Sequence, residues 1–130
     1  MKALAVLALL TSSAAAAPAA DIPTQVKEAF ALAEGMKMAV ADYAAKHNAF
    51  PANNEEARLP AATLIQGRYV AQSAVDGPKI DFTFGPGADA SIQSKHLTLL
   101  GKITDGVVAW TCQSEDLPAS VCPSDCSCSE

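Results

Sequence analysis

The sequence predicts an α+β fold: one long N-terminal helix packed on a four-stranded antiparallel sheet, closed by a disulfide-stapled C-terminal loop. Three observations predict it. The apolar pattern runs at a helical period up to His47 and changes to a period of two beyond Gly67. The strand-like runs are separated by Gly, Pro and Asp-Gly punctuation rather than by further helical segments, so the strands follow the helix as a block. All four cysteines, Cys112, Cys122, Cys126 and Cys128, lie in the last fifth of the 130 residues.

From Thr24 to His47, Val26, Ala29, Ala33, Met36, Val40 and Tyr43 recur in steps of three and four, one stripe of a helix about 36 Å long. Phe30, Leu32 and Met38 widen the apolar surface, and the latter two lie off the stripe. They give some support to an open groove, although the domain's own sheet is the stripe's first partner. Pro23 fits a first turn, with Asp21 or Thr24 as cap. Lys46 and His47 suit the negative end of the helix dipole, and Pro51 forbids continuation. Pro51 to Gly67 reads as a loop, in which Ala61 to Gln66 forms a short turn or strand and Glu55-Glu56 is solvated. Tyr69–Val75 and Lys79–Phe84 read as strands joined through Asp76-Gly77-Pro78. Ala90–Gln93 reads as a short strand or bend. Lys95–Leu100 and Val107–Cys112 complete the sheet, and Asp105-Gly106 signals their hairpin. Tyr69 and Trp110 are expected in the core on neighbouring strands. The tail after Cys112 is expected to be irregular.

The N-terminus carries an export signature. Lys2 supplies a positive start, Ala3–Leu10 is an unbroken apolar stretch, and a small-residue tract follows to Ala20. As a helix the stretch reaches about 12 Å, short of a bilayer core of about 30 Å. Residues 1–19 are therefore expected to be a cleaved signal peptide and 20–130 a single domain without a transmembrane segment. Export to the periplasm, cell surface or medium makes disulfides the default for the four cysteines. A Cys126–Cys128 bridge would be strained. That leaves Cys112–Cys126 with Cys122–Cys128, or Cys112–Cys128 with Cys122–Cys126.

The formal net charge is −5 and the cations are scattered singly, so no nucleic-acid partner is expected. No cofactor and no metal are expected either, because the cysteine spacing gives neither paired C-x2-C ligands nor a redox C-x-x-C. His47 and His96 have no accompanying carboxylate or serine pattern, there is no Gly-x-Ser-x-Gly, and Gly85-Pro86-Gly87 lacks the lysine and helix of a phosphate loop. The chain reads as non-enzymatic.

Several local runs, taken in order, resemble the globular head of the type IV pilin family. Val26-Lys27-Glu28-Ala29 through Asp42-Tyr43 is similar to the second half of the family's long helix. Phe50-Pro51-Ala52-Asn53-Asn54 is similar to the loop after it. Gly67-Arg68-Tyr69-Val70 is similar to the approach to the first strand. Leu97-Thr98-Leu99 and Val108-Ala109-Trp110-Thr111-Cys112 are similar to the last two strands. Leu117-Pro118-Ala119 with Pro123-Ser124-Asp125-Cys126 is similar to the C-terminal disulfide loop. The family's apolar stem helix, with its glutamate, has no counterpart here. The resemblance implies a Cys112–Cys126 bridge, which leaves Cys122 and Cys128 for a second. It further implies a structural or interaction role in a type IV pilus or at the cell surface, including adhesion. The disulfide loop would then be the candidate binding surface, through Gln113, Ser114, Glu115, Asp116, Ser120, Ser124 and Asp125. The expected partners are pilins, other pilus components or a surface receptor. The alternative is a soluble periplasmic or secreted module that uses the same head for an unrelated ligand.

Overall fold

The computed structural model describes residues 20–128. The expected signal peptide, residues 1–19, lies outside the described residues. Helix α1 spans Ile22–His47, with Asp21 as its cap: Oδ1 accepts the Thr24 N–H at 3.1 Å, and Pro23 sits in the first turn. It ends at Asn48, which takes a left-handed conformation (φ 49°) and returns its N–H to the Ala44 carbonyl. The stripe Val26, Ala29, Ala33, Met36 and Val40 is buried as expected. Its last member is Ala44, while Tyr43 is half-buried. The alanines let the helix axis approach the sheet closely, so larger side chains from the strands fill the layer between.

Strands β1 (Val70–Asp76), β2 (Lys79–Phe84), β3 (His96–Thr104) and β4 (Val107–Ser114) form an antiparallel meander in chain order. On β2 the alternation is strict: Ile80, Phe82 and Phe84 are buried towards α1, while Asp81 and Thr83 lie on the outer face. Val70, Val75, Leu97, Leu99 and Cys112 join them, with Ile92 and Leu117 closing the core from loops. The β3–β4 turn holds both central residues at positive φ, Asp105 at 53° and Gly106 at 78°, the geometry that matches the strands' twist. Ala90–Gln93 is a turn whose Ile92 is fully buried.

The sheet has one strand more than expected. Cys126–Cys128 forms β5, parallel to β4, with Cys112 opposite Cys126 in register. A disulfide joins that same pair, so the tail is drawn into the ladder rather than left irregular. Tyr69 and Trp110 are not on neighbouring strands: Tyr69 directly precedes β1, and β2 and β3 separate it from β4. Tyr69 is buried, whereas Trp110 is half-buried at the core's margin.

Side chains on α1 and the following loop tie the layers together. The Glu28 carboxylate accepts three successive backbone N–H groups where the chain enters β1, those of Arg68, Tyr69 and Val70, at 2.8–2.9 Å. A side chain on Gly67 would overlap that carboxylate, which explains the glycine there. Gln25, also buried, accepts the Asp89 N–H and donates to the Ala20 carbonyl, both at 2.7 Å. On the far edge, buried Asn54 lies against β1. Its Oδ1 accepts the Val75 N–H at 2.6 Å, and its Nδ2 donates to the carbonyls of Ser73 and Pro60.

Glu56 is not merely solvated. Its Oε1 accepts the Ala52 N–H at 2.8 Å and the Tyr43 hydroxyl at 3.0 Å, and both hold the carboxyl below its ordinary range. Hydrogen bonds from Thr24 and Ser91 lower Asp21 and Asp89 in the same sense. A depressed carboxyl adds stability above its unfolded pKa and loses it as pH falls through the folded value. Urea midpoints are therefore expected to hold from pH 7 to about 5 and decline below about pH 4.5. In Glu56→Gln the decline should shrink. An undiminished decline in that variant would assign the acid sensitivity elsewhere.

Candidate functional site

The C-terminal loop between Cys112 and Cys126 is held by two interleaved disulfides, Cys112–Cys126 and Cys122–Cys128, and all four cysteines are paired. The first bridge stands on the sheet, with Cys112 buried on β4. The second ties the turn at Ala119–Val121 to β5. Between them Leu117 is buried and anchors the loop's middle in the core.

The seven polar loop residues do not form one surface. Ser114 is buried on β4: its hydroxyl donates to the His96 carbonyl at 2.6 Å and accepts the Leu117 N–H at 2.9 Å. Asp116 is exposed, but its Oδ1 accepts the His96 N–H at 2.9 Å. These two residues shape the loop through the His96 backbone. Gln113 and Glu115 face a polar trough of about 360 Å³ on the outer sheet face, which Ser114 and Asp116 also line together with Asp76, Lys79, Asp81 and His96. Ser120, Ser124 and Asp125 face the opposite way, onto a groove between the loop and the start of α1.

In the trough, Asp81 Oδ2 lies 2.9 Å from His96 Nδ1, and Thr98 donates its hydroxyl to Asp81 Oδ1 at 2.8 Å. The β2–β3 register brings this carboxylate to the histidine across 15 residues, which explains why local sequence gave no sign of the pair. It is not a triad. Thr83 Oγ1 approaches the same ring nitrogen, at 3.2 Å, whereas a nucleophile activated by an Asp-His pair must sit on the other one. Among the described residues no group of His, Cys, Asp and Glu is placed to hold a metal ion.

The groove has a volume of about 560 Å³. One wall is the first two turns of α1, with Pro23, Val26, Lys27 and Phe30; the other is Ser120 to Asp125. Val26 forms the buried floor, and Phe30 and Val121 are half-buried across from each other. The helix wall was not among the residues expected to bind. Its signal was Phe30, a large apolar side chain beside the stripe. Leu32 and Met38, the expected signs of an open groove, do not line it: Leu32 is half-buried and Met38 is 73% exposed.

The architecture can be set beside known proteins. A family profile for pilins, proteins of bacterial filaments, matches residues 24–127. The chain is 37% identical over 89 residues to the type IV major pilin protein PilE of Neisseria gonorrhoeae, covering 68% of this chain and 53% of that protein. It is 38% identical over 89 residues to a fimbrial protein of Neisseria meningitidis, covering 68% and 52%. To the fimbrial protein EcpC of Eikenella corrodens it is 32% identical over 108 residues, covering 79% and 69%. The chain thus spans about half the length of the first two relatives. Among the described residues no helix is long and apolar enough to cross a membrane. The profile match runs from the first turn of α1 into β5, across the meander and the Cys112–Cys126 loop, and the chain belongs to the type IV pilin family.

Proposed function

We propose that the protein is a non-catalytic, structural component of a type IV pilus, exported to the periplasm or cell surface, whose disulfide loop is its contact with other pilus components. The observation that carries this reading is the loop itself. Two bridges and the buried Leu117 hold a segment that presents Ser120, Ser124 and Asp125 at the surface. A loop fixed in this way gives up little conformational entropy when it binds. A surface receptor engaged by the same residues would make it an adhesin as well.

The test is capture by the oxidised protein, immobilised and exposed to the producing cell's envelope fraction, read by mass spectrometry. Recovery of pilins or pilus-assembly proteins, lost when Ser120, Ser124 and Asp125 are all changed to alanine, is the expected result. Recovery of an unrelated ligand and no pilus component would overturn it, and would favour a secreted module that retains only the fold.

A further inference from the structure

We propose that the groove between α1 and the disulfide loop is a two-fold self-association surface, in which the loop rim of one copy seats in the groove of a second. A two-fold contact requires one patch to carry both halves of the interaction, so that residue i meets j and j meets i. This patch does. Its loop side is a ridge with apolar Val121 and Pro123 and an exposed anion, Asp125. Its helix side is a hollow with half-buried Phe30 and an exposed cation, Lys27. A two-fold axis running along the groove lays the ridge of each copy against Phe30 of the other and brings Asp125 to Lys27 twice.

The charges favour this occupant. The protein carries a formal net charge of −5, so two copies repel one another over most approaches. Lys27 supplies the local cation that an incoming Asp125 needs. Neither residue forms an ion pair within the chain among the described residues; Lys27 lies only near enough to Asp21 to contribute weakly to lowering its pKa. The second bridge, Cys122–Cys128, fixes the ridge beforehand, since Cys122 is itself part of the groove wall. Ridge and hollow are then already formed when a second copy arrives.

The test is analytical ultracentrifugation of the protein expressed from its full sequence through an export pathway, oxidised and alone in solution. The result therefore stands or falls separately from any pilus partner. A dimer is expected by about 1 mM, the weak end of specific association. Each single reversal, Lys27→Glu or Asp125→Lys, places two like-charge contacts in the interface and should weaken the dimer roughly tenfold or more. The double reversal restores opposite charges and should recover the original affinity. Both side chains are exposed, so the variants keep the fold. A protein that is monomeric throughout, a dimer indifferent to the single reversals, or a double reversal that fails to restore would each overturn the proposal.

Discussion

Replacing Cys112 and Cys126 together by alanine is expected to lower the stability of the oxidised protein by about 3 kcal/mol, the chain-entropy value for a loop of this length. For a domain of this size that corresponds to a fall in melting temperature of roughly 12 °C or more. Alanine is the right replacement because Cys112 is buried and serine would add an unsatisfied hydroxyl. The change removes more than a crosslink, since Cys126 begins β5 and is placed opposite Cys112 by the bridge. Alanine at both Cys122 and Cys128, whose bridge closes a shorter loop with a sequence separation of 6 against 14, should cost less, about 2 kcal/mol. Urea denaturation of the two double variants decides the matter. If removing Cys122–Cys128 proved the more damaging, the sheet-borne bridge would not be the principal staple.

The second large effect belongs to Glu28. Glu28→Ala should destabilise by about 3 kcal/mol, because it deprives three backbone donors of a charged acceptor at once. Glu28→Gln is the informative control. It keeps an oxygen for the Tyr69 and Val70 N–H groups but turns an amide donor towards that of Arg68, so its loss should be about 1 kcal/mol. Amide hydrogen exchange supplies an independent readout. Faster exchange at Tyr69 and Val70, with the β3–β4 amides unchanged, is the signature of a local latch between helix and sheet. Equal stability of wild type and both variants would mean that water serves those amides as well as Glu28 does.

How much of this was legible in the sequence follows from the range over which each feature is encoded. The helix stripe, the Asp21 cap, the stop before Pro51 and the Asp105-Gly106 hairpin depend on neighbours a few residues apart, and all are present. β5 was not legible, because Cys-Ser-Cys has no strand character of its own and pairs only where the bridge places it. Glu28 looked like any charge on a helix, since its partners lie 40 or more residues away. The Asp81–His96 pair exists only through strand register. The candidate site was half legible: the loop and its cysteines were found, but which residues serve structure and which serve the surface was set by the loop's fold. Ser114 and Asp116 hydrogen-bond to the His96 backbone, a partner set by the fold, and the groove needed a helix wall nearly a hundred residues upstream.

Asn54 bears on the kind of polymer open to such a head. Its side-chain amide has the donor and acceptor of a peptide group, and it occupies the positions on Ser73 and Val75 that an added strand would take. Ser73 Oγ, donating to the Ile65 carbonyl at 2.9 Å, fastens the covering loop to the same margin. An incoming chain therefore finds the β1 border already read and cannot lengthen the sheet from that side. At concentrations where open-edged sheets stack into cross-β fibrils, this border is capped by an impostor of its own backbone. At the β1 border, contacts between such heads would have to form by matching side-chain surfaces, which can be varied without rewriting the ladder inside.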